Sequence, residues 1–284
     1  EIMLGIGGIA ALKELGISEK DIDRIKDVPY QELYNAGQRA MAASIGTRRP
    51  GTPMMWGFGP TPDGEVVLQQ PFQPGFADIS SNVPLLIGTT FNELQRLNYN
   101  RNITLEQART ELQRTFADET DAYIDAFAEA YPDYTPQDLL SIDWLFRPKT
   151  IITADYVAKS RKAKTYTYMF TWRSPINKGS VHGNELNFCF NTLERAGNEL
   201  PQPTEQDYEL ADIMSSVWAQ FAKTGNPNIK ELPKWKAYTA KNGEMMIFDY
   251  NCEIRNNPDR KLEEIIDRHC FKQLDEFRKK QAGK

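Results

Sequence analysis

A chain of 284 residues that is 40% hydrophobic and 26% charged is one large domain or two ordinary ones, with enough apolar residues for a sizeable core. Its formal charge of −5 excludes the basic footprint of a nucleic-acid-binding surface. No apolar run approaches the roughly 20 residues of a membrane helix, and three widely spaced cysteines give neither a disulfide framework nor a C-x-x-C site.

In chain order, residues 1 to about 45 read as helices. Leu12, Leu15, Ile22 and Ile25 recur near helical spacing, and Val28-Pro29 punctuates before YQELYNAGQRAMAA. The opening EIMLGIGGIAAL lacks a basic flank, so no signal peptide is read there. The first residue is Glu rather than Met, so the true start is expected upstream, with any export signal out of sight. Secretion or a periplasmic location therefore stays open. Residues 46–64 form a Gly- and Pro-rich loop, and Glu65–Leu68 is a short strand candidate. The run VPLLIGTTFNEL fits a buried strand feeding a loop.

Thr104 to Tyr131 is helical, with Leu105, Ala108, Leu112 and Phe116 on one stripe and Tyr123, Phe127 and Ala130 on a second. Pro148 to Lys162 is a further helix. TYTYMFTW, Thr165 to Trp172, has the aromatic and β-branched content of a strand. Glu205 to Lys223 is a helix with Leu210, Ile213, Val217 and Phe221 on one face. It stops at Thr224-Gly225-Asn226-Pro227. MMIFDY, Met245 to Tyr250, is another strand, and Pro258 to about Gln281 a charged amphipathic helix. The basic run Arg278-Lys279-Lys280 reads as solvated surface. Strands separated by long helical stretches predict an α/β fold with a mostly parallel sheet flanked by helices. The strands are few for so many helices, so the sheet is small or part of it is missing.

Three motifs fail on context. Gly5-Ile6-Gly7-Gly8-Ile9-Ala10 fits the dinucleotide fingerprint, but the four residues before it are too few for the strand that must deliver it. His182 and Glu185 stand three apart like helix-borne metal ligands. A metal needs three or four ligands, and the other histidine, His269, lies far along the chain in the terminal helix. Ala42-Ala43-Ser44-Ile45-Gly46 approximates the G-x-S-x-G nucleophile elbow, yet it follows a helix and enters a loop, the reverse of the required order.

Two strand ends remain, with Glu93 after VPLLIGTTFN and His182 after TYTYMFTWRSPINKGS. Functional groups of open α/β sheets gather beyond the carboxyl ends of strands. An acid followed by a histidine is the later part of a Ser…Asp/Glu…His order. The carboxylate would fix the tautomer of the imidazole and stabilise its protonated form. A glutamate after a strand and a histidine in a turn also occur as plain surface groups, so these residues alone leave both readings open.

The wording of the segments adds to them. GPTPDGEVVLQQPF…VPLLIGTTFNEL, TYTYMFTWRSPINKGSVHGNELNFCF and SSVWAQFAKTGNPN…LPKWKAYT occur in order. They resemble blocks of the type B carboxylesterases, the cholinesterase-like and para-nitrobenzyl esterase-like branch of the α/β-hydrolases. The resemblance implies that Glu93 is the catalytic acid and that His182, in the form H-G-x-E-L, is the general base and acid of an ester hydrolase. Asn92 and Leu94 depart from the family's commonest D-E-G wording around the acid. It further implies the C-terminal portion of an α/β-hydrolase fold, with the serine elbow and the oxyanion loop in an upstream half absent from this sequence.

On that reading residues 1–45 are helices following the missing elbow, and 46–98 are the loop and strand carrying the acid. Residues 99–163 are a helical insertion, and 164–284 carry the histidine strand, then terminal helices and a strand. The expected partners are a small-molecule carboxylic ester and the N-terminal half of the same enzyme, with no metal or organic cofactor, no nucleic acid and no membrane span. The isolated chain is expected to be inactive. A cholinesterase-like recognition domain without catalysis is the alternative, and a self-standing interaction module fits poorly with strands that want neighbours on both sides. The resemblance makes Trp56–Gly59 and Leu94–Tyr99 candidate pocket loops, while surface or core packing accounts for the same residues equally well.

Overall fold

The computed structural model describes residues 9–45, 64–69, 78–94, 102–160 and 162–270. They fall in two compact units, 1–77 and 78–284. In the first, a helical stretch over 9–14 ends at Gly16, which has φ +64, and a 3₁₀ helix spans Glu19–Asp27. Helix α1 spans Tyr30–Ile45. Ala11, Leu12, Ile17, Ala36 and Ala40 are buried, but Ile22 is exposed. The 3₁₀ geometry explains the difference: at three residues per turn Ile22 and Ile25 align with each other and leave the stripe started by Leu12. The strand expected at Glu65–Leu68 is not formed. The Gly64 N–H donates to the Val67 carbonyl (3.3 Å), so the run turns back on itself with Val66 and Leu68 exposed.

The second unit contains a four-stranded sheet in the order β1-β2-β3-β4: β1 Leu85–Thr90, β2 Thr165–Phe170, β3 Glu244–Phe248 and β4 Glu253–Asn256. The first three strands are parallel and in close register, with Leu85 opposite Thr165 and Thr167 opposite Met245. β4 runs antiparallel along β3. The helices are α2 Leu105–Phe116, α3 Thr120–Ala130, α4 Arg147–Ser160, α5 Glu205–Thr224 and α6 Arg260–Cys270. α6 follows the predicted start at Pro258; its expected continuation to Gln281 and the basic run lie outside the described residues. Among the described residues no helix is long and apolar enough to cross a membrane.

Two apolar clusters cover the two faces of the sheet, and the alternation of strand side chains sorts residues between them. Met169, Met245 and Ile247 join Ala108, Leu112, Phe116, Tyr123, Phe127 and residues of α6. Tyr166, Phe170, Met246 and Phe248 point the other way, onto Leu210, Met214 and Val217 of α5 and onto Trp235. Both helix stripes were legible in part: Leu105 is exposed, and Met214 is buried where Ile213 is only half-buried. Gly88 sits where β1 meets Tyr168, and a Cβ there would fall 2.4 Å from that ring.

The helices are closed by local hydrogen bonds. Thr104 and Gln107 form a capping box at the start of α2, and Thr204 and Asp207 form one at the start of α5. α5 ends at Gly225 with φ +69, whose N–H donates to the Phe221 carbonyl (2.7 Å), as the Gly-Asn-Pro signal predicts. The Asp207 carboxylate also accepts from Trp172 Nε1 and the Tyr250 hydroxyl, at 2.8 Å each. Between the starts of α4 and α6 lies a buried ion pair. Arg147 donates to Asp259 through Nε (2.5 Å) and Nη2 (2.7 Å), and the Tyr131 hydroxyl adds a third donor at 2.7 Å. The Arg147 guanidinium holds the Asp259 carboxyl below the usual carboxylate range against the cost of its burial.

Candidate active site

β1 hands its chain to a tight acid-bearing turn. Beyond Thr90, the Phe91 N–H donates to the Phe170 carbonyl (2.9 Å) and the Asn92 N–H to the Ser180 carbonyl (2.9 Å). The turn is closed reciprocally: the Glu93 N–H donates to Thr90 Oγ1 (3.0 Å), and the Thr90 N–H donates to Glu93 Oε1 (2.7 Å). Glu93 adopts φ +45, a left-handed conformation uncommon for a residue with a side chain, and these bonds hold it there.

The histidine-bearing loop is fastened to the same place. After β2 the chain turns at Ser174 and returns through Ser180, whose hydroxyl donates to the Phe170 carbonyl (2.8 Å). The Asn184 N–H then reaches the Val181 carbonyl (3.0 Å), enclosing His182 and Gly183 in a four-residue turn. Gly183 has φ +83, the third-position requirement of a type II turn, and the Asn184 side chain accepts the Val181 N–H (2.7 Å).

The two loops meet as a short parallel bridge between Glu93 and Val181. The His182 N–H donates to the Glu93 carbonyl (3.1 Å), while His182 Nδ1 and Glu93 Oε2 stand 2.6 Å apart. A carboxylate only accepts, so Nδ1 carries the proton, and in the neutral form of the ring Nε2 has a free lone pair. The Glu93 side chain is 7% exposed and the imidazole 61%, so the acid is enclosed while the ring faces outward. Among the described residues nothing bonds Nε2. The ring of Phe146 stacks beside the imidazole, with centroids 5.8 Å apart and planes 14° from parallel.

Asn92 uses both ends of its amide. Its Oδ1 accepts the Ser180 N–H (2.8 Å), and its Nδ2 donates to the Ser141 carbonyl (2.8 Å). One buried side chain thus joins the acid turn, the histidine loop and the segment before α4. Two further carboxyls lie near. Burial pushes Asp143 up, opposed by the N–H groups of Leu145, Phe146 and Arg147, with the Glu93 charge adding a smaller push. Burial likewise raises Glu185, with Glu93 adding to it and His182 opposing.

Both residues singled out in the sequence, Glu93 and His182, therefore come together. The other histidine, His269, has its Nε2 on Glu119 (2.7 Å) and faces Phe116 edge-on, as a helix-boundary residue would. Among the described residues no three His, Cys, Asp or Glu side chains gather as a metal site. Residues 5–8, Gly46, the loop Trp56–Gly59 and residues 95–99 lie outside the described residues. Sequence reasoning missed Phe146 and the Ser141–Asn92–Ser180 bridge. The polar Asn92 between Phe91 and Glu93, just past the strand, was the available signal for the second.

Residues 12–265 match the model of the carboxylesterase family. Para-nitrobenzyl esterase of Bacillus subtilis (strain 168) is 29% identical over 266 residues, covering 88% of this chain and 50% of that protein. Human bile salt-activated lipase is 32% identical over 106 residues, 34% of this chain and 13% of that protein. Among solved structures, an esterase from the anaerobe Clostridium hathewayi that can hydrolyse aliphatic aromatic polyesters superposes with a TM-score of 0.76 at 29% identity. It is covered over 92% of this chain and 51% of that one. A PNB esterase structure gives 0.61 at 25% identity, over 92% of this chain and 53% of that one. The chain thus spans about half the length of the relatives it matches most fully. Its mostly parallel sheet flanked by helices is part of an α/β-hydrolase fold, and the chain belongs to the carboxylesterase family.

Proposed function

We propose that this chain carries the acid and the base of a serine carboxylesterase, Glu93 and His182, and that the serine and the oxyanion donors come from a segment outside this sequence. The observation that carries the reading is the 2.6 Å contact between His182 Nδ1 and Glu93 Oε2, which leaves Nε2 open on an exposed ring. A buried carboxylate on Nδ1 fixes the tautomer that a general base needs and stabilises the imidazolium that forms. In the cycle, Nε2 takes the proton of the serine hydroxyl as its oxygen attacks the ester carbonyl. The same nitrogen returns the proton to the departing alcohol, leaving an acyl-enzyme. Water then gives up a proton to Nε2 as it attacks the acyl carbonyl, and Nε2 returns that proton to the serine oxygen as its bond to the acyl group breaks and the acid leaves. Backbone N–H groups of the outside segment hold the oxyanion.

The substrate class is a small-molecule carboxylic ester, in keeping with a relative named para-nitrobenzyl esterase. A fluorophosphonate, which traps only an activated serine, tests the proposal. The complete polypeptide encoded by the gene is expected to be labelled, and His182→Ala to lose labelling without loss of folding. A complete polypeptide that resists labelling, or one labelled equally with and without His182, contradicts it. In the first case a recognition domain of the same fold would lead.

A further inference from the structure

Phe146 has no place in either apolar cluster of the sheet, yet its backbone is hydrogen-bonded on both sides. Its N–H donates to the carboxylate of Asp143, with Oδ2 at 3.1 Å, and Asp143 also accepts from Leu145 (2.8 Å) and Arg147 (2.8 Å). Its carbonyl accepts the Thr150 N–H (2.9 Å), the first turn of α4. The next residue, Arg147, is locked in the buried pair with Asp259. Asp143 in turn donates its own N–H to the Phe91 carbonyl (2.9 Å), two residues before Glu93. The ring beside the imidazole and the carboxylate on its Nδ1 thus sit on two segments that this hydrogen bond ties together.

The imidazole needs such a second support. Its side chain is 61% exposed and bonded at one edge only, so it can pivot about the Nδ1–Oε2 contact and carry Nε2 out of line. A flat ring 14° from parallel along one face blocks that pivot. An aromatic face also attracts the positive charge that the ring acquires when Nε2 takes a proton.

We propose that Phe146 is a positioning residue for His182, one that fixes the plane of the imidazole and hence the direction of Nε2. This rests on the acid–base reading given above. In the complete polypeptide, Phe146→Leu keeps bulk but removes the flat face. Misdirecting a catalytic atom by about 1 Å costs on the order of 10²-fold. The variant is therefore expected to lose about 10- to 100-fold in kcat with KM within about threefold. Phe146→Tyr restores the face and is expected to recover most of the loss. A second readout needs no turnover: the imidazole resonance that disappears in His182→Ala is shifted by the Phe146 ring current. It should move in Phe146→Leu and return in Phe146→Tyr. Wild-type kcat in Phe146→Leu, or an unmoved His182 resonance, overturns the proposal and leaves the acid–base reading standing. Full activity in His182→Ala overturns both.

Discussion

Asn92 carries more of the site than its neutral side chain suggests. It donates to the Ser141 carbonyl and accepts from the Ser180 N–H, so only a group with both a donor and an acceptor satisfies the position. Asn92→Asp sets a carboxylate oxygen against that carbonyl, and the unmade buried bond should cost about 1–3 kcal/mol. A urea-unfolding midpoint equal to wild type would show that Asp protonates or relaxes there without loss. Glu93 and His182 were legible in the sequence because each follows a strand-like run and the segments around them resemble carboxylesterase blocks. Asn92 and Phe146 were not, since their partners lie 49 and 36 residues away in the chain and only the fold brings them near.

At the scale of elements, local signals were read well and weakly patterned ones poorly. α5 is bounded by Thr204 and Gly225, both visible as cap residues. β4 escaped notice because Glu253–Asn256 is four residues long, half charged and at the sheet edge, where burial imposes no alternation. The 3₁₀ segment Glu19–Asp27 mimics an α-helical stripe for one turn and then departs from it. The docking of α6 adds a pH dependence. Arg268 and His269 both reach Glu119, between α2 and α3, and their hydrogen bonds lower its carboxyl from 4.5 to about 2. A depressed acid contributes stability that is complete above its unfolded value and is lost as pH falls through the folded one. The difference in melting temperature between wild type and Glu119→Gln should therefore be fullest above pH 4.5 and vanish near pH 2. A difference constant across that window would mean that the ion pairs do not hold α6.

For the whole molecule, alternating strands and helices were enough to read an α/β fold with a mostly parallel sheet, and the four strands among the described residues fit the expectation of a sheet that is small or partly missing. The pattern could not give the strand order, which depends on long crossovers such as that from β1 to β2. Because the chain spans about half of its fuller relatives, the account predicts that these 284 residues alone do not turn over esters. Removing the nucleophile of a serine triad costs about 10⁶-fold, and each lost oxyanion donor about 10²–10³-fold more. Turnover of a para-nitrophenyl ester by the purified chain, abolished by His182→Ala, would place a nucleophile within it.

The acid–base pair is tested most directly by kcat for a short-chain para-nitrophenyl ester, measured on the complete polypeptide carrying His182→Ala or Glu93→Gln. The account predicts a loss of about 10⁶-fold for the histidine and about 10³–10⁴-fold for the glutamate, with both variants folded. Activity that survives the His182 substitution within tenfold of wild type would contradict it.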